Sequence, residues 1–167
     1  MKKFLVVFVM LSTLIIAQEK NKMSVDEKTG KPMLLGICDR SAFADTSFSW
    51  WFNSEYDNYS PDSIDVKNLA DKLKDIEITI VMGTWCSDSR REVPRLFKIL
   101  NKLNYDQKNV TLICVDRKKT AQTGNVDKLK IELVPTLIFY KDNAEIGRIV
   151  ESPKETLEKD LMKIVMK

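Results

Sequence analysis

Histidine is absent from all 167 residues. That excludes Ser-His-Asp and Cys-His catalysis and removes the commonest zinc ligand. Any nucleophile in this chain must be activated by something other than an imidazole. Cysteine is scarce: Cys38, Cys86 and Cys114 stand in no metal-binding spacing, so neither a metal nor a cofactor is expected. Glycine and proline number five each, too few for a low-complexity linker, and no internal repeat is visible. Charge of one sign is also lacking. Lys and Arg total 27 against 24 Asp and Glu, and no basic run is longer than "RKK" at 117–119, which argues against a nucleic-acid partner.

One long apolar run is present, from Phe4 to Ile16. It follows Lys2 and Lys3 and precedes the small residue Ala17, the three-part pattern of a secretory signal peptide. The run falls short of the roughly 20 residues a membrane-spanning helix needs. No cysteine follows it, which argues against a lipoprotein. The expectation is an exported, periplasmic protein with a signal peptide over 1–17, a flexible polar leader over 18–31 and one domain over 32–167. Three cysteines in an exported chain allow at most one internal disulfide, leaving a reactive or buried thiol over.

Within the domain, "PMLLGIC" at 32–38 reads as a short strand. Phe48, Trp51, Phe52, Tyr56 and Tyr59 recur at helical spacing, an aromatic face read as packing rather than as a partner surface. Pro61 ends that helix. Asp62 or Ser63 caps a second one through Lys74, with Ile64, Leu69 and Leu73 inward. "EITIVMG" at 77–83 and "VTLICVD" at 110–116 are continuously apolar and β-branched, as strands buried on both faces are. Between them a helix runs from Ser87 to Leu103, burying Val93, Leu96, Phe97 and Leu100, with Pro94 inside it. "VDKLKIEL" is a short helix or turn. "PTLIFY" and "AEIGRIVE" flank "KDN" as a hairpin, and a last amphipathic helix opens at "SPKE", with Ser152 as cap and Glu155 completing a capping box. The order predicts an α/β sandwich with parallel β-α units and a mixed central sheet.

The chemistry concentrates in "TWCSDS", where a buried strand gives way to a helix. At a helix N-terminus the free backbone N–H groups and the dipole favour a thiolate on Cys86. Arg90 and Arg91 add positive charge one turn on; Asp88 opposes them. Ser89, three residues after Cys86, lies on the same helix side. Its hydroxyl can donate to a thiolate but cannot form a disulfide. Trp85 is placed to shield the sulfur and shape a groove.

Together, "TWCSDS" after a buried strand, Pro94 in the next helix, and Val134-Pro135-Thr136 before a hairpin resemble the thioredoxin family over residues 33–167. The resemblance implies a thioredoxin-like three-layer sandwich. It makes Cys86 the catalytic cysteine, with Ser89 in the second cysteine's place. It implies a cis Val134–Pro135 bond beside Cys86, with Trp85, Val134 and Pro135 binding substrate and Arg90 and Pro94 supporting the site. Departures accompany it: Ile80 stands where the family carries a buried acid, Asp88 where it often has proline, and Glu151 where a glycine usually ends the last strand. Cys38 is the candidate second thiol, although in such a sheet it lies nearer Cys114 than Cys86, and Cys114 reads as a core thiol.

The activity this implies is thiol–disulfide exchange through a single cysteine: mixed-disulfide reduction, isomerisation or thiol repair. Its partners would be protein thiols and disulfides or low-molecular-weight thiols, with an external reductant to complete turnover. The alternative is a redox-inactive module of the same fold that binds extended polypeptides or a partner protein. The effect of Cys86→Ser separates the two.

Overall fold

A computed structural model describes residues 20–166, so the expected signal peptide lies outside the described residues. In chain order the strands and α-helices are β1 (Met23–Val25), β2 (Pro32–Leu34), β3 (Gly36–Cys38), α1 (Thr46–Asn58), α2 (Ser63–Leu69), β4 (Ile76–Met82), α3 (Ser87–Lys102), β5 (Val110–Cys114), β6 (Thr136–Lys141), β7 (Ala144–Val150) and α4 (Leu157–Val165).

The most apolar strand takes the middle of the sheet. β4 is flanked by β5 and β6 in a five-stranded sheet of order β3-β5-β4-β6-β7. It runs parallel to β5, with Ile80 opposite Leu112, and antiparallel to β6, with Ile80 opposite Leu137. β3 is antiparallel to β5, so β4 and β5 are the sheet's parallel pair and the expected series of parallel units is reduced to one. The β6–β7 hairpin closes through Asp142 and Asn143, at φ of 50° and 63°, the left-handed pair that a two-residue turn requires.

Strand alternation separates two cores. Ile78, Ile80, Met82, Leu112, Leu137 and Phe139 share one face and pack with buried residues of all four α-helices. Val81, Ile113 and Val115 face the other way and meet Val126 and Val134. The chain covering this second face is mostly irregular, with a 3-10 turn over Val126–Leu129. The mixed sheet with packed layers is the expected α/β sandwich, but its third layer is thin. α1 buries Phe48, Trp51 and Phe52, and Phe52 packs on Phe97 of α3 at a centroid separation of 6.0 Å. The aromatic face is thus core.

Four local expectations are corrected. The polar stretch after residue 20 contains β1, which pairs antiparallel with β2, so it is no flexible leader. Buried Asp26 accepts hydrogen bonds from Lys28 N and Thr29 Oγ1 and holds the turn. "PMLLGIC" is two strands in two sheets, separated at Leu35 next to Gly36, whose φ is +91°. α2 stops at Leu69, with Ile64 71% exposed and Val66 buried in its place. α4 starts at Leu157, capped by Thr156, whose hydroxyl accepts from Lys159 N. The Ser152 hydroxyl instead accepts from Arg91.

Candidate active site

The loop from Gly83 to Cys86 connects the C-terminal end of β4 to the start of α3. Cys86 is the N-cap residue, with extended φ/ψ of −90° and 130°, and no side chain caps the helix there. The first-turn N–H groups therefore remain oriented toward the loop, where they favour negative charge. Cys86 is half-buried, and its Sγ lies 3.1 Å from the Val134 carbonyl oxygen. The Val134–Pro135 peptide bond is cis. Cys86, Val134 and Pro135 thus meet across 48 residues of sequence.

The Trp85 ring is fixed on three sides. Its Nε1 donates to the Val115 carbonyl at 2.9 Å. The Arg117 guanidinium stacks over it at 4.8 Å from the centroid. Gly83 lies so close that an added Cβ would come within 2.5 Å of the ring, a contact only glycine permits.

Arg90 and Arg91 diverge. Arg90 Nε donates to the Thr84 carbonyl at 2.6 Å, and its guanidinium lies over Trp51 and Trp50 at 5.8 and 6.0 Å. Burial pulls its pKa below the usual guanidinium value, against the opposing pull of Cys86 and Asp26. Arg91 turns away to Asp88, at 2.8 Å, and to Glu92, at 2.6 Å. The carboxylate expected to oppose a thiolate is therefore paired with Arg91.

Ser89 is fully buried, and its Oγ accepts from the Gly83 N–H at 3.2 Å. It pins the loop to the first turn of α3; among the described residues no hydrogen bond joins it to Cys86. Ile80 is fully buried too, an apolar side chain where the resemblance places an acid. Pro94 lies buried inside α3.

Cys38 is not brought to Cys86. It sits in the helix-side core with Cys114, whereas Cys86 packs against the opposite cluster. Gly36 faces Cys114 and Cys38 faces Leu112 across the β3–β5 ladder, so the two thiols share a sheet face. The neighbouring Cys38 thiol, together with complete burial, pushes the Cys114 pKa well up, which keeps Cys114 a protonated core thiol. All three cysteines are free.

Reading the sequence missed Asp26, Gly83 and Arg117. Gly83 ends a run that reads only as strand, Arg117 stands in what reads as a solvated basic loop, and Asp26 lies in a stretch that reads as leader. Nothing local marks them; they become site residues through contacts such as the Asp26–Arg117 pair, 91 positions apart.

Just past the C-terminal end of β7, Glu151 takes the position where the resemblance places a glycine. Its φ is +59°, and its N–H donates to the Pro135 carbonyl at 2.7 Å. The last strand is therefore tied to the cis-proline loop through a residue in the left-handed region that glycine favours.

The thioredoxin family model matches residues 63–163, more than half of the chain. Thioredoxin H-type 1 of Nicotiana tabacum is 28% identical over 116 residues, covering 65% of this chain and 76% of that protein. Among solved structures, mitochondrial thioredoxin 3 of Saccharomyces cerevisiae in its oxidised form is 21% identical, with 65% of this chain and 98% of that chain covered and a TM-score of 0.39. Fasciola hepatica thioredoxin is 18% identical, with 60% and 86% covered and a TM-score of 0.39. The assignment rests on the family model: the chain belongs to the thioredoxin family, whose chemistry is thiol–disulfide oxidoreduction.

Proposed function

We propose that this protein is an exported, periplasmic thiol–disulfide exchange protein that works through the single cysteine Cys86. The observation that carries the reading is Cys86 at the uncapped start of α3, half-buried against Val134, with a buried serine one turn on and the other two cysteines on the far side of the sheet. The Cys86 thiolate attacks one sulfur of a substrate disulfide. The bond between Cys86 and that sulfur forms as the substrate S–S bond breaks, and the departing thiolate takes up a proton. Ser89 cannot reverse this capture, because a hydroxyl forms no disulfide. An external thiol then attacks the Cys86 sulfur of the mixed disulfide and releases the substrate as its thiol; a second external thiol attacks the outer sulfur of the resulting disulfide on Cys86, freeing the Cys86 thiolate as the external disulfide forms. Net reduction of a substrate disulfide consumes two such thiols, supplied by a small thiol or a protein dithiol.

The test offers a peptide–small-thiol mixed disulfide to the wild type and to Cys86→Ser. Wild type should acquire one disulfide-linked adduct at Cys86, seen by non-reducing mass spectrometry, and should release peptide thiol when external thiol is added. Absence of both, with Cys86 unmodified, rules the reading out in favour of a binding module. Export rests on the pattern Lys2 to Ala17 and is tested by fractionation, with a mature N-terminus at Gln18 expected. Retention of Met1 in a cytoplasmic pool would contradict it.

A further inference from the structure

The N-terminal hairpin lies outside the family-matched residues 63–163, yet it reaches the active-site loop at Thr84 and the loop after β5 at Arg117. The Leu34 N–H donates to Thr84 Oγ1 at 3.1 Å, with both residues buried. Asp26, 2% exposed, accepts from Arg117 Nε at 2.7 Å and from its terminal nitrogen at 2.8 Å. This is the two-pronged pairing that a planar guanidinium makes with a carboxylate. The carboxylate is itself fixed: Thr29 Oγ1 donates to it at 2.5 Å and Lys28 N at 3.2 Å, and the Asp26 carbonyl closes the turn by accepting from Gly30 N at 2.8 Å. Arg117 therefore has one edge held by a rigid turn and one face laid on Trp85, which in turn sits next to the nucleophile.

We infer that Arg117, locked by Asp26 of the N-terminal hairpin, is a positioning residue of the Cys86 site. It clamps the Trp85 ring between itself and Gly83 and presents its positive charge to the Cys86 thiolate. The ring has an edge bond to Val115 and a floor at Gly83; without Arg117 it has no lid. A lysine in this place carries the charge but has neither the fork that takes both oxygens of Asp26 nor the plane that covers an indole. Electrostatics agree with the geometry. Arg117 and Arg90 are both within electrostatic reach of Cys86, approaching from the loop after β5 and from α3, while Asp88 is engaged by Arg91. The hydrogen bonds to Asp26 raise the Arg117 pKa, and those same bonds hold the Asp26 carboxyl far below the usual carboxylate range. The pair stays ionised at every pH at which thiol exchange runs.

The inference rests on the reading of Cys86 as the reactive thiol, and its test does not depend on turnover. In the full-length protein, Arg117→Gln, Arg117→Lys and Asp26→Asn are compared with wild type by two measurements. The first is hydrogen exchange of the Trp85 indole N–H by NMR, with the Trp50 and Trp51 indoles as internal controls. The second is the ratio of Cys86 alkylation rates at neutral and strongly alkaline pH, which cancels accessibility. All three variants should exchange the Trp85 indole at least tenfold faster, with Trp50 and Trp51 unchanged. Arg117→Gln should also lower the alkylation ratio about threefold, as loss of one nearby charge in a solvated site implies, and Arg117→Lys should restore the ratio but not the indole protection. Wild-type indole protection in Asp26→Asn and Arg117→Lys overturns the clamp. Should Arg117→Gln fail to fold, these two volume-conserving variants decide it. An unchanged ratio in a folded Arg117→Gln overturns the electrostatic part. A wild type that never exchanges disulfides overturns the proposed function and leaves both of these measurements standing.

Discussion

Replacing Gly83 with alanine would push a methyl group into space that the Trp85 ring occupies. The added Cβ would lie 2.5, 2.7 and 2.8 Å from Cε2, Nε1 and Cζ2 of the indole, about 1 Å inside ordinary contact. The ring would have to retreat, and both of its anchors resist. Moving it stretches the 2.9 Å bond to the Val115 carbonyl, worth about 1 kcal/mol, and disturbs the stack with Arg117. Overpacking strain of about 1–3 kcal/mol is the alternative if the ring stays. Opposing either is the smaller unfolded-state entropy of alanine, about 0.4–1 kcal/mol in its favour. The net expectation is a loss of about 1 kcal/mol, which a urea titration reads as a lower midpoint at unchanged slope. Faster exchange of the Trp85 indole N–H should accompany it. A Gly83→Ala protein within about 0.5 kcal/mol of wild type, its Trp85 indole still protected, would refute the close packing of Gly83 and Trp85 on which the site description depends.

Three further predictions follow from separate features. Glu151 adopts φ +59°, so Glu151→Gly should stabilise the fold by about 0.5–1 kcal/mol; a destabilised variant in the same titration would show that the Glu151 side chain matters more than its backbone. The Asp26 carboxyl is held below its usual range by Arg117. Its contribution is therefore complete at neutral pH and is lost as pH falls below about 4, the unfolded value. Asp26→Asn should flatten the acid limb of the stability profile, and an unaltered limb would count against the pairing. Ser89→Cys should let Cys86 form an intramolecular disulfide, because the two positions lie one turn apart at the start of α3. Under oxidant, alkylation should find both thiols consumed and the Cys86-linked adducts gone, and two free thiols would show that the loop holds the pair apart. The Gly83 N–H would lose its hydroxyl acceptor, a cost of about 1 kcal/mol.

Much of the site could be read from residue order because its core is local. Cys86 follows a buried strand and begins a helix within one stretch of chain, so periodicity alone places it at a helix N-terminus. Hairpin residues Asp142 and Asn143 announced their turn by type. Errors arose where short-range rules met long-range competition. Ser152 and Glu155 form a convincing capping box on paper, yet Arg91 claims the Ser152 hydroxyl and Lys163 pairs with Glu155, and α4 starts at Leu157 with Thr156 as its cap. Ile64 fits a helical stripe, but α2 buries Val66 and Leu69 and leaves Ile64 facing solvent. The stretch "NKMSVDEKTGK" has the composition of a solvated leader and becomes a hairpin because one buried carboxylate finds Arg117.

The amino-acid order by itself limited the chemistry that can be proposed for this chain. Without histidine and without a cysteine at position 89, the chain can offer only a lone thiol at a helix start, and the strand and helix periods dictate the α/β arrangement that presents it. Tertiary structure alone decided what surrounds that thiol. It set Cys38 and Cys114 on the far face of the sheet, aimed the Ser89 hydroxyl at Gly83, and brought Asp26 and Arg117 together behind Trp85. Those placements depend on contacts between segments separated by tens of residues. Such contacts depend on which faces pack together, and no local pattern records them.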